Sequence, residues 1–425
     1  MSFLDEYHAS RAAPAPGEAR LRVVREWSSL RPHAMFDDLR QHAPAMQLGG
    51  LAFITRYRDV MDVLRRNDVF SVAPYGDAMM RINRGPNFLL GMDDGAAYRQ
   101  QLHALSRAFR REDVERVRST VAARTSEVLG AAMTAGRLDM VDGFGRLVPA
   151  RFIADYFGVR GPDEGTLAHW ARTIFTDAFV NVLGEPLLSR RAMRASKAFR
   201  THLDLLIART RAERAAGTTR DDALGRLLAG QEAGDRDLTD ARIRDNLLWC
   251  VAGMIDNVSA AVCRAIDLLL SRPAILDAAG AAARAGDAER VQAYVCEALR
   301  FSTPTPMAVR RSVRPHIVSR GTPHETTLAA GTLVFAGLGA AMMDASVVDE
   351  PSSFRIDRPP QHYLHFGAGL HTCLGTHIAM AHVTEMVGSL LRLPGLRRAR
   401  GIAGRLRCIG PFPDRFVVWV GASDP

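Results

Sequence analysis

Lysine is almost missing from this chain: Lys197 is the only one, and arginine supplies the rest of the 55 basic residues. The formal net charge is +9 and the pI about 9.8. That balance fits a solvated surface or a face that docks an acidic protein. It does not fit a nucleic-acid platform, because no basic block is interleaved with aromatic residues, which make up only 7% of the chain. Cysteine is scarce and odd in number: Cys250, Cys263, Cys296, Cys373 and Cys408, with no Cys-x-x-Cys pair. A disulfide framework and a structural zinc site are therefore not expected. Uninterrupted apolar runs stay short of the roughly 18 residues a membrane span needs. The N-terminus begins polar and lacks the apolar core of a signal peptide. The expectation is a soluble cytoplasmic protein with no membrane and no nucleic-acid partner.

What is present is a large apolar fraction, 47% of 425 residues, ample for a sizeable core. Length alone allows two or three domains. No repeat and no low-complexity linker divides the chain, so we expect one domain over residues 21–425, preceded by a flexible arm over residues 1–20. Leu51–Thr55 reads as a strand, followed by a helix after Asp59. From about residue 97 to 290 apolar residues recur at three- and four-residue spacing, the helical period. A long helix is predicted from the N-cap Thr239 to just before Pro273, apolar nearly all round from Leu247 to Val262 and hence buried. Strand signals return at Leu333–Ala336 and Phe416–Val420. Residues 72–95 and 213–238 read as loops. The fold class is mainly α with a small β lobe.

Four cysteines sit in apolar patterns and read as packing residues. Cys373 differs. Residues 366–375 run Phe-Gly-Ala-Gly-Leu-His-Thr-Cys-Leu-Gly, and a helical pattern starts at once. A thiolate that binds a metal must stay deprotonated, and a helix N-terminus favours that. Glycines let backbone approach a flat macrocycle closely. Phe366, Gly367, His371, Cys373 and Gly375 resemble, in register, the heme-binding loop of the cytochrome P450 family. Glu297 and Arg300, the former 76 residues before Cys373, resemble its Glu-x-x-Arg pair. Ala340–Asp344, and Phe354 with Arg358, resemble the turn and meander that follow.

The resemblance implies a mostly helical fold with the long helix over the heme, non-covalent heme b, and Cys373 as the axial iron ligand. Thiolate ligation favours O–O cleavage. It further implies propionate donors: His371, and Arg310 or Arg311, with spacing slightly favouring Arg311. The family's His-x-x-x-Arg pair, after the motif that Met92-Asp93-Asp94 resembles, has no counterpart here. Arg99 and His103, four apart on one helical face, are the candidates to replace it in reverse order. Arg107, Arg110 and Arg111 offer positive charge where the family's partner, usually a ferredoxin served by a ferredoxin reductase, docks.

The long helix departs from the family, whose members mostly carry Ala-Gly-x-(Glu/Asp)-Thr to relay protons to dioxygen. Here Ala252 and Gly253 are followed by Met254, Ile255, Asp256 and Asn257. Ile255 stands at the acid, Asp256 at the threonine, and the next alcohol is Ser259. One residue on a helix is a rotation of about 100°, so Asp256 takes the alcohol's direction, not the acid's. Both polar residues are expensive in an apolar helix unless paired or solvated. They are candidate catalytic residues; bonding to nearby backbone or to an ion-pair partner such as Arg264 is the alternative. Three functions are compatible: a ferredoxin-driven monooxygenase, an enzyme acting on a peroxide or on an O–O or N–O bond in its substrate, and a heme sensor without turnover. Substrate-wall candidates implied by the family's architecture are Met79, Phe88, Phe179, Val180, Met307, Val309 and Phe412, with Asn87 and Asn181 to give direction. They suit a medium-sized, partly apolar small molecule, such as a specialised metabolite.

Overall fold

A computed structural model describes residues 1–181 and 184–421. It is 61% helical with small sheets, the expected class. Contacts divide the chain into two compact units, where the sequence reading expects a single domain. The first comprises Met1–Pro74, Cys296–Cys373 and Cys408–Phe412; the second comprises Tyr75–Val295, Leu374–Arg407 and the chain from Pro413 onward. Each unit is assembled from separate segments, so no boundary coincides with a linker that composition could reveal.

The first unit is built on a five-stranded sheet in the order Ala45–Leu48, Leu51–Ile54, Leu333–Ala336, Ala308–Ser312, Phe70–Ser71. Only the Leu51–Ile54 and Leu333–Ala336 pair is parallel. Phe53 and Phe335 pair across it and stack with ring centroids 5.0 Å apart. The helix Tyr57–Arg65 begins two residues before Asp59 and buries Tyr57, Val60, Val63 and Leu64, a helical stripe. Residues 1–20, expected to be an arm, instead form Phe3–Ala9, capped by a reciprocal Ser2 and Asp5 box, and the start of Pro16–Leu30. Phe3 is buried edge-on against Trp27 at 5.8 Å, and the Trp27 indole donates to Glu6. These contacts hold the segment down; they are non-local, so composition hides them.

In the second unit the long helix is present as Asp240–Ala252 and Ile255–Leu270, with Thr239 accepting from the Arg242 amide as N-cap. The rod has the length and hydropathy of a membrane span, yet 83% of its most apolar window is buried, which marks a core helix. Segments expected as loops contain the helices Ala73–Asn83 and Ala223–Glu232. In the first, Tyr75, Ala78, Met79 and Ile82 are buried at helical spacing, a stripe obscured by Pro74 and Gly76. The second is nucleated by Asp222, whose side chain accepts from the Gly225 amide at 2.8 Å.

Candidate active site

Cys373 closes a tight loop. Its amide donates to the Phe366 carbonyl at 3.0 Å, and the Thr372 amide and hydroxyl both donate to the Gly369 carbonyl. Gly367 and Gly369 have φ of +70° and +77°, where a side chain is strained. A Cβ on Gly369 would meet the Leu64 carbonyl oxygen at 2.5 Å, so the loop packs directly on the end of the Tyr57–Arg65 helix. The loop leaves the Cys373 residue exposed. Phe366 and His371 are half-buried, and Gly375 caps the helix Thr376–Leu391.

Behind the loop lies a buried charge network. Glu297 and Arg300 are 0% and 1% exposed. The Arg300 guanidinium donates to Glu297 through Nε at 2.9 Å and Nη2 at 2.7 Å, and to the carbonyls of Met342 and Ser353. Glu297 also accepts from Arg358 Nε and the Arg355 amide, both at 3.0 Å, and from the Tyr363 hydroxyl. Burial works to raise the Glu297 pKa; Arg300, the Arg355 amide and Arg358 outweigh it and hold the carboxyl below its usual range. The links to Met342, Ser353, Arg355 and Arg358 clamp the 340–358 segment, so the pair acts as more than an i,i+3 helix bridge. Asp344 accepts from the Tyr57 amide at 2.9 Å and is fully buried. Cys296 reads as a packing residue: burial, then the Glu297 charge, pushes its thiol up to about 12.

The middle of the long helix is built differently. The rod breaks at Gly253 and Met254, after buried Ala252. Asn257 repairs the break: its Nδ2 donates to the Gly253 carbonyl at 2.8 Å. Asp256 is 1% exposed. Its Oδ1 accepts from Arg146 Nε at 3.1 Å and from Arg172 Nε and Nη2 at 3.1 and 2.8 Å. Both arginines also donate to the Pro413 carbonyl, at 3.2 and 3.1 Å. Oδ2 has no hydrogen-bond partner among the described residues. Burial pushes the carboxyl up to about 6, against the pull of Arg146. The partners are thus not Arg264 but two arginines distant in sequence, and no linear signal pointed to them. The Asn257 bond, at i−4, was within reach of a spacing argument.

The Cytochrome P450 family model matches residues 46–393. This chain belongs to the cytochrome P450 family. Among relatives, the steroid C26-monooxygenase of Mycobacterium tuberculosis is 26% identical over 388 residues, covering 87% of this chain and 88% of that protein. The cyclomarin C epoxidase CymV of Salinispora arenicola is 26% identical over 353 residues, 82% of this chain and 85% of its own. The crystal structure of CalO2 is similar with a TM-score of 0.78 at 22% identity, covering 96% of this chain and 99% of that one. The P450 is an enzyme of the heme-thiolate type, with heme b as its cofactor.

The residues present fit that group. An exposed thiol on a glycine-shaped loop suits an iron ligand. The strand Ala308–Ser312 buries Arg310 to 4% exposure, and a cationic donor held in that position suits an anionic propionate. Arg311, the one favoured by spacing, points to the other face of that strand and is exposed. Arg99 and His103 both lie on the exposed side of the helix Ala96–Ala108, and Arg99 pairs with Asp94 at 2.6 Å. Cys373 is exposed as well, so exposure leaves Arg99 and His103 as candidate propionate donors. The inner face of that helix carries buried Tyr98 and Gln101, which sequence reading passed over.

The wall candidates divide between the units. In the second, Phe88 stacks over Trp249 at 6.2 Å, and Phe179 lies edge-on to the same indole at 6.3 Å and 5.0 Å from Tyr75. Met79 is fully buried and Val180 half-buried. In the first unit Val309 and Phe412 are buried and Met307 half-buried. Asn87 and Asn181 serve the local backbone, bonding Gly91 and Glu185. The family's architecture also implies the stretch 174–190 as a wall, of which residues 182 and 183 lie outside the described residues.

Proposed function

We propose that this P450 is a monooxygenase that tailors a small, partly apolar specialised metabolite in the cytoplasm, with electrons from a ferredoxin and its reductase. Named monooxygenase and epoxidase relatives support oxygen insertion. One oxygen atom enters the substrate; the other leaves as water, with two electrons from the ferredoxin and two protons. The heme-thiolate group supplies dioxygen activation. Cys373 would ligate its iron, and Arg310 and His371 would hold its carboxylates. Arg107, Arg110 and Arg111 receive the acidic ferredoxin.

The observation that carries the reading is Asp256. One oxygen is anchored by Arg146 and Arg172, the other is buried with no hydrogen-bond partner among the described residues, and the pKa near 6 lets Oδ2 take and release a proton close to neutrality. Asn257 holds the break that presents this residue and is a positioning residue. The apolar side chains of Met79, Phe88, Phe179 and Val180 bind and orient the substrate.

A second reading keeps support from the missing threonine: catalysis on an O–O or N–O bond already in the substrate. Turnover measured aerobically and anaerobically separates the two. We expect product only with dioxygen and reductant. In Asp256→Ala, product should fall by about 10²–10⁴-fold while reductant consumption continues. Product formed without dioxygen would favour the second reading, and unchanged turnover in Asp256→Ala would remove the proton role.

A further inference from the structure

The helix Pro186–Ala215 carries two unlike halves. Its buried stripe is Ala192, Ala195, Ser196, Phe199, Leu203, Ile207 and Thr210. In the second half every arginine has a carboxylate: Arg209 with Glu213, Arg211 with Asp240, Arg214 with Glu232. Residues 186–203 contain no Asp or Glu at all, yet hold Arg190, Arg191, Arg194, Lys197 and Arg200. The first four are exposed and have no carboxylate partner among the described residues.

Their placement works against the helix. Arg190 with Arg194, and Arg194 with Lys197, are like charges at i,i+4 and i,i+3, which repel. The charge extends onto a neighbouring element. Ser196 Oγ and Arg200 Nη1 donate to the Ile82 carbonyl at 2.7 and 3.1 Å, and Arg200 also to Asn83 at 2.6 Å. The end of Ala73–Asn83 is thereby fixed beside the helix, with Arg84 exposed next to it. Burial, then the positive charge of Arg244, lowers the Arg200 pKa, with Arg84 adding to it and Asp245 and Asp204 opposing. Asp77 and Glu185 are the exposed acids of these two segments, and Glu185 is engaged as N-cap on the Leu187 amide. Two large apolar side chains, Leu187 at 46% and Met80 at 44% exposure, stand among the cations.

We propose that Leu187, Arg190, Arg191, Arg194 and Lys197, with Met80 and Arg84, form a docking surface for an acidic helical face of another protein. Eleven residues of helix, Leu187 to Lys197, present this stripe over roughly 15 Å, the length of about three turns of a partner helix with carboxylates at three- and four-residue spacing. Such a partner would supply the counter-charges that the second half of the helix finds within the chain. A membrane is the poorer fit: an interfacial helix buries a continuous apolar face in lipid, whereas here the apolar stripe is buried in the protein. Single-stranded nucleic acid needs exposed aromatic platforms, and none of the exposed residues named here is aromatic.

The test uses the heme-loaded enzyme and a fluorescent synthetic helical peptide with glutamates at i, i+4 and i+7, followed by anisotropy. We expect salt-sensitive binding that weakens by about tenfold or more in Arg190→Glu/Arg194→Glu. Arg209→Glu, on the neutralised half, should bind as the wild type does. Thermal midpoint and the reduced carbon-monoxide spectrum establish that each variant is folded. Absence of binding, equal loss in Arg209→Glu, or tighter binding to phosphatidylglycerol vesicles or duplex DNA than to the peptide would each overturn the proposal.

Discussion

The network behind the cysteine loop and the middle of the long helix both bury carboxylates beside arginines, but by opposite routes. Glu297 meets Arg300 three residues away, and both its oxygens are used. Asp256 draws Arg146 and Arg172 from 110 and 84 residues away, and one oxygen stays open. Accordingly the Glu297 carboxyl is held below its ordinary range while that of Asp256 is pushed up to about 6. A saturated carboxylate is a rivet; a half-saturated one retains capacity for a proton.

Six variants break or sharpen that contrast. Cys373→Ala has the largest expected effect: the red-shifted Soret band of the reduced carbon-monoxide complex should vanish, and its persistence would remove Cys373 as ligand. Glu297→Ala strands Arg300 and Arg358 in the interior and should destabilise by about 3–5 kcal/mol, read by denaturant unfolding. Arg310→Ala should lose heme on dilution faster than Arg311→Ala, since only the former is buried; equal loss would return the two to parity.

The pH dependence tests the open oxygen. The folded-state value of about 6 for Asp256 lies above its ordinary 3.8. A raised acid contributes stability below its unfolded pKa and loses that contribution as pH rises through the folded one. Between about pH 4 and 6, Asp256→Asn should therefore flatten a decline seen in the wild type, measured by thermal midpoint across that window. The smallest effect belongs to Asn257→Ala. Loss of one bond to the Gly253 carbonyl should cost about 0.5–1.5 kcal/mol, and a change in the Asp256 pH profile beyond that would show the break positions the carboxylate.

Much of the molecule was legible before any coordinates. The loop around Cys373, the Glu297 and Arg300 pair, the Thr239 cap and the strands Leu51–Ile54 and Leu333–Ala336 all rest on short-range spacing, and spacing is written in the chain. The helix Ala73–Asn83 was hidden because its proline and glycine read as loop while its apolar stripe was secured only by tertiary burial.

By itself the sequence marked the candidates for the chemistry: a cysteine in a glycine loop, and an acid and an amide where an alcohol is usual. Only the tertiary structure decided what each one meets. It buried Arg310, exposed Arg311, and brought Arg146 and Arg172 to Asp256. The physical reason is range. Turn geometry, caps and i,i+3 pairs depend on neighbours a few bonds away, whereas a buried charge takes its partner from whatever segment the packed core delivers.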